Sequence, residues 1–295
     1  MKHVCILTVI FLFLFFAGES YAQQTGLPVK WEELTTPDFI KAVKNSGSTC
    51  IIPIGVIEKH GPHLPIGTDV MSIRDIAVRA AKKEYALVFP GSYAGQINVA
   101  KPQPGTIAYS QELQLKMLQE TCDELGRNGI KNIIIANGHG GNTSLMSYFC
   151  RRQLESRRDY AVIIFRAGTY PETDEKIRKL RKTTLGGHAD EKETSTMLVT
   201  RPDLTHIERA NEQSGESQSR ISLPYGTTSV DFYDSYPNHY AGDGSPGNVE
   251  LGNLIIEDGV SQLVELIKAL KKDDTVHKVL KEFYDKSEKP LETKQ

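Results

Sequence analysis

The sequence predicts an α/β fold, a single domain with a mostly parallel central sheet flanked by helices. Three observations carry this. Short β-branched runs, apolar on both faces, alternate with longer stretches of helical period, the pattern of βαβ units. No repeat, low-complexity block or Pro/Gly/Ser linker divides residues 23–270. With 295 residues, 39% hydrophobic and 24% charged, the chain has a globular composition and can bury a sizeable core.

In chain order, the first 22 residues have the layout of a secretory signal. Lys2 and His3 precede an apolar run from Val4 to Ala17, and the small-x-small triplet Ser20-Tyr21-Ala22 marks a cleavage point. The run is shorter than the ~20 residues of a membrane span. A secreted or periplasmic mature chain, with no stable membrane insertion, is the expectation. Cys5 leaves with the signal. Cys50, Cys122 and Cys150 lie in apolar, element-forming contexts and read as buried small hydrophobes, although one pair could bond. No CxxC spacing offers a thiolate metal site.

The runs "CIIPIGVI", "ALVFPG", "KNIIIANG" and "YAVIIFRAG" read as buried strands. Residues 70–84, 110–128 and 143–158 space their apolar positions as amphipathic helices. A further helical stretch is "TSTMLVT", after residue 193. From Lys271 to Gln295 the chain is charge-rich and reads as a peripheral helix with a frayed end.

A net charge of −2 and a pI near 6.5 lack the basic footprint that nucleic acid or an anionic membrane surface requires. A small-molecule partner is expected. In open α/β sheets ligands gather beyond the carboxyl ends of the strands, and two His-bearing segments, "EKHGPHLPIGTD" and "NGHGGN", directly follow strands. A third, "GGHADEKETS", precedes a helix.

Glu58 and His60 are two apart, so an extended backbone points both to one side. The turn residues Gly61, Pro62, Pro65 and Gly67 can return Asp69 to the same place. Carboxylates with imidazoles suit Zn²⁺, Mn²⁺ or Fe²⁺, and His139, between two glycines, adds a second imidazole. Two ions about 3.5–4 Å apart would make a dinuclear hydrolase site, with a bridging water as nucleophile. Asp69 can bridge, and the missing ligand should be a carboxylate, Glu193 or Glu191. The competing reading makes Asp69 and Asn142 helix N-caps.

The blocks "PIGVIEKHGPHLPIGTD", "NGHGGN" and "HADEKETSTMLVTRPDL", followed by the glycine-rich "AGDGSPGNVELG", resemble the signature blocks of the creatininase (creatinine amidohydrolase) family, in its order, over most of residues 27–270. The resemblance implies a creatininase-like α/β domain with two divalent metal ions at the strand ends, and a homo-oligomer, often a hexamer. It assigns Glu58, Asp69 and His139 to one ion, with His60 and the bridging Asp69 on the other. His188 corresponds to the histidine that relays a proton to the leaving nitrogen; Glu191 is counted with it as a catalytic candidate. His63, Asn137 and Asn142 are expected to orient ligands from behind.

Two departures stand out. Creatininase carries a glutamate two residues after the histidine of the "NGH" block, and this chain has Gly141, which leaves the fifth ligand open with Glu193 favoured. Many relatives also carry a histidine shortly before the "PGT" turn. Here Ala100 lies near that place, beside Asn98 and Lys101, and the only tryptophan is Trp31. The expected activity is therefore hydrolysis of a non-peptide amide, cyclic ones included, with creatinine itself unspecified. A formamide deformylase or small-peptide hydrolase, or a non-catalytic metal- or ligand-binding protein, are the alternatives.

Overall fold

The computed structural model describes residues 26–294. The signal-like segment, with Cys5, lies outside the described residues. Four parallel strands form one sheet in the order β2-β1-β3-β4: β1 (Thr49–Ile54), β2 (Leu87–Val88), β3 (Asn132–Asn137) and β4 (Ala161–Phe165). Every residue of β1 is buried, as expected of a strand covered on both faces.

Side-chain alternation sorts each strand between two cores. Ile51, Ile134, Ala136 and Phe165 meet α2 (Thr68–Lys83) and α8 (Val249–Lys272) through Ile73, Ile76, Val260 and Leu263. Cys50, Ile52, Ile54, Ile133 and Ile135 face the other way, onto α1 (Thr36–Asn45), α3 (Gln111–Arg127) and α4 (Thr143–Arg152) through Ala42, Leu118 and Met146. The helices read from periodicity lie where expected, except that α4 stops at Arg152 and yields to a 3-10 turn at Gln153–Glu155. Cys50, Cys122 and Cys150 are free thiols, the first two fully buried.

The remaining elements are α5 (Pro171–Leu180), α6 (Glu191–Thr200), the short α7 (Asp231–Ser235) and α9 (Thr275–Ser287). The charged C-terminal stretch contributes α9 as a docked helix. Tyr284 is buried and donates its hydroxyl to the Gln153 carbonyl at 2.7 Å, and His277 Nε2 lies 2.8 Å from Asn132 Oδ1. Among the described residues no helix is long and apolar enough to cross a membrane.

Candidate metal centre

β1 and β3 pair with Ile54 opposite Asn137, so the chain leaves both strands side by side at their carboxyl ends. The Gly138 N–H still reaches back to the Ile54 carbonyl at 2.8 Å. One strand runs into the loop of Glu58 and His60, the other into His139. Across both lies the start of α2. A Cβ on Gly55 would stand 2.4 Å from Val70 N, and one on Gly138 2.7 Å from Ile73 Cβ. Glycine at these positions lets Asp69, in the first turn of α2, come down onto the strand ends.

The third segment arrives with α6, which starts at Glu191 rather than at Thr194. The cause is Asp190, whose carboxylate accepts the N–H groups of Lys192 at 2.9 Å and Glu193 at 3.1 Å as an N-cap. At about 100° per residue, Glu191 and Glu193 then point to opposite sides. Glu193 faces the cluster, with Oε2 3.8 Å from His60 Nε2. Glu191 faces away and accepts backbone N–H groups from Lys182 and Thr183 at 2.9–3.0 Å. This corrects the expectation for Glu191: its carboxylate fastens the end of the α5 segment and has no place in the cluster.

Glu58, His60, Asp69, His139, Glu193 and His188 converge. The imidazole geometry tells which nitrogens are left for a ligand, because a carbonyl can only accept. His60 Nδ1 donates to the Glu58 carbonyl at 3.2 Å, leaving Nε2 to face Asp69 Oδ1 at 3.0 Å. His139 Nε2 donates to the Gln96 carbonyl at 3.1 Å, leaving Nδ1 2.9 Å from both Glu58 Oε1 and Asp69 Oδ2. The two oxygens of Asp69 thus address two different imidazoles, the disposition a bridging carboxylate needs. Outward N–H groups held by carbonyls fix the tautomer of metal-ligating histidines.

Glu58 Oε1 and Asp69 Oδ2 are buried and have no hydrogen-bond partner; their approach to His139 is close without the alignment of a hydrogen bond. Buried acceptors facing one another require a cation between them. Protons show the same demand. Against burial, Asp69 and Glu193 push His60 up to about 10, and Asp69 and Glu58 push His139 up to about 10. Despite burial, His139 and His239 hold the Glu58 carboxyl well below the usual carboxylate range. The residues present therefore fit a divalent cation, since Glu58, His60 and Asp69 offer buried ligand atoms within 4.8 Å of one another; a pair of ions would place Glu58, Asp69 and His139 around one position and His60, Asp69 and Glu193 around the other. The N-cap reading of Asp69 and Asn142 fails, since neither side chain caps its helix.

His188 Nε2 donates to the Lys59 carbonyl at 2.7 Å, and its ring lies 4.2 Å from that of His60. Burial first, then the His60 charge, push it down to about 3, so it stands neutral with Nδ1 as the lone-pair nitrogen. Sequence reasoning missed His239, whose Nε2 meets Glu58 Oε2 at 2.5 Å and whose ring lies 4.6 Å from His188. Only its position two residues before the glycine-rich block hinted at it.

The supporting residues divide. Asn137 donates to the His139 carbonyl and accepts its N–H, and Asn142 ties Asn137 Oδ1 to the Gln96 N–H. Both brace the loop that aims His139. His63 bonds Thr194 Oγ1 at 2.7 Å and so braces α6 beside Glu193. Gly141 has a physical reason to be glycine here, since a Cβ would stand 2.5 Å from His139 Nε2. A glutamate there would have to displace the His139 ring, and among the candidate carboxylates Glu193 is the one that approaches His60.

A wholly parallel sheet with carboxylates and imidazoles gathered beyond its carboxyl ends defines an α/β protein of the metal-centred hydrolase class. The sequence profile of the creatininase family, described as creatinine amidohydrolase, matches residues 32–267, and the chain belongs to that family as one of its amidohydrolases. It is 25% identical to the creatinine amidohydrolase of Pseudomonas putida over 258 residues, 80% of this chain and 95% of that one. It is 27% identical to the 3-dehydro-scyllo-inosose hydrolase of Thermotoga maritima over 54% of this chain and 52% of that one. With the mycofactocin precursor peptide peptidase of Mycolicibacterium smegmatis it shares 27% identity over 52% of this chain and 58% of that one. Among solved structures, a manganese creatininase superposes with a TM-score of 0.72 at 22% identity, covering 84% of this chain and all of that one. A creatininase variant of the Zn–Zn type gives 0.71 at 23%, with the same coverage. These structural likenesses speak to the fold.

Proposed function

We propose that this chain is an exported amidohydrolase that opens a non-peptide amide C–N bond, cyclic amides included, in a small molecule. The observation that carries it is the pair of imidazoles, His60 and His139, each turned by a backbone carbonyl so that its free nitrogen meets Asp69. Two divalent cations held there would supply Lewis acidity for the carbonyl and lower the pKa of water. Zinc suits the donor set, as do manganese and iron(II). The protein's own part is positional. Asp69 and Glu58 hold the centre from buried positions, and the Asn137–Asn142 brace fixes His139.

Hydrolysis adds water across the C–N bond, and the proton lost by the attacking oxygen must reach the departing nitrogen. In this reading His188 carries it. Its Nε2–H is committed to Lys59, which leaves Nδ1 to take the proton and return it. A neutral imidazole is the form that accepts.

The similarity to a peptide peptidase over part of the chain favours a second reading, a deformylase or small-peptide hydrolase acting through the same centre. A panel of lactams, creatinine, formamides and short peptides separates the two. Protein purified without chelator should contain about two equivalents of divalent metal. His188→Ala should keep that metal and lose roughly 10²–10⁴ in rate on the substrate that turns over. Absence of bound metal, or unchanged rates in that variant, would remove the proposal. The signal-like segment supports export, with the mature chain beginning after Ala22, and the family resemblance supports a homo-oligomer, a hexamer.

A further inference from the structure

We propose that Arg166 binds a carboxylate on the substrate, so that the amide cleaved belongs to a small carboxylated molecule. This rests on the hydrolase reading above and narrows its substrate class. A cleft of about 340 Å³ is lined by Asp69, His139 and Glu193 at the cluster, by the apolar Ile73 and Ile255, and by Arg166. Arg166 is the first residue beyond β4, and β4 neighbours β3, whose following loop carries His139. Strand order alone therefore brings the guanidinium to the rim that carries the centre. Among the described residues that line this cleft it is the one lysine or arginine.

Its bonding is incomplete in an informative way. Nη2 is anchored on Ser147 Oγ at 2.9 Å, with the Thr143 carbonyl at 3.4 Å. Arg74, Arg127 and Arg157 each pair with a carboxylate. Among the described residues no carboxylate pairs with Arg166. A guanidinium offers five N–H donors in a planar fork matched to a carboxylate. One edge of Arg166 is tethered, which limits the rotamer freedom lost on binding, and the remaining donors have no protein partner among the described residues, on an exposed residue that lines the cleft. Charge points the same way. Two divalent cations would exceed the three carboxylates of Glu58, Asp69 and Glu193 by one positive charge, and Arg166 adds another. A cleft of one sign concentrates ligands of the other.

The test is a matched pair of probes on the zinc-loaded protein. N-acetylglycine and N-ethylacetamide share a skeleton and differ in the carboxylate; pyroglutamate and 2-pyrrolidone do the same for a cyclic amide. Calorimetric titration should show the carboxylate member binding about 10–100-fold tighter, the worth of a charge-assisted bond. In Arg166→Gln that ratio should collapse to within about twofold, and Arg166→Lys should restore part of it. Equal binding of both members by the native protein overturns the proposal. So does a ratio that persists in Arg166→Gln at unchanged zinc content, since the cations would then be holding the carboxylate. Turnover read on the same probes separates the two ideas. Hydrolysis of both members alike keeps the hydrolase and removes Arg166 as a selector. A carboxylate preference that vanishes in Arg166→Gln, with no hydrolysis of any probe, keeps the anion site and removes these probes as substrates.

Discussion

Glu58 shows how much of this centre depends on single contacts. Its Oε1 faces the His139 position, and its Oε2 is held by His239 at 2.5 Å. A carboxylate fixed at one oxygen presents the other in one orientation, and partners of this kind commonly contribute 10–100-fold in metal affinity. His239→Ala should therefore weaken binding at the Glu58 position by about that factor, while His239→Gln, able to donate from its amide, should recover part of it. Zinc competition against a chromophoric chelator reads this directly, and equal affinities in all three proteins would refute the positioning role. His239 also marks the limit of what residue patterns reveal. Glu58, His60 and Asp69 lie within twelve residues, and His139 sits between glycines after a strand, so each was legible as a candidate ligand. His239 stands 181 positions from Glu58 and reaches it from a left-handed backbone turn, φ 57°. No local spacing encodes such a contact.

At the scale of elements, the strands were legible because their apolar runs serve two cores at once, and α2, α3 and α4 because their periodicity is unbroken. The start of α6 was less so. The acidic string "DEKE" offers several candidate ligands until Asp190 is seen to cap the helix, after which the 100° step sends Glu193 inward and Glu191 to Lys182 and Thr183. The long α8 follows no strand, and Gly252 and Gly259 interrupt its apolar stripe; yet Gly252 is what allows close approach to α6, for a Cβ would meet Ser195 O at 2.0 Å. The cap has a measurable consequence. Asp190→Ala should cost about 1 kcal/mol of stability and, by fraying the first turn that carries Glu193, weaken the second metal position more than the first. Asp190→Asn, which keeps an acceptor, should retain both. Denaturant titration and stepwise zinc titration give the two readouts; a destabilised variant that still fills both positions alike would separate the cap from the centre.

On the scale of the whole molecule, the centre joins chain segments that the sheet brings together but does not itself tie. At the centre itself, the loop after β1, the start of α2, the loop after β3 and the start of α6 present side chains to one another, and three of those side chains are carboxylates. Without cations, Glu58 and Asp69 are compensated by His60 and His139, which burial opposes charging. With cations, the same groups become ligands, and binding to the folded state alone adds stability as the logarithm of metal over Kd. For free zinc at about 1,000 times Kd this is ~4 kcal/mol, which for a domain of this size corresponds to a rise in Tm on the order of 10 °C. Chelator should thus lower the Tm of the purified protein by that order, and zinc should restore it. Asp69→Asn supplies the control. If Asp69 serves both positions, the variant should melt at one temperature with or without chelator. A native protein whose Tm ignores chelator would mean that the four segments hold together without ions, and that the buried acceptors of Glu58 and Asp69 are satisfied by protons alone.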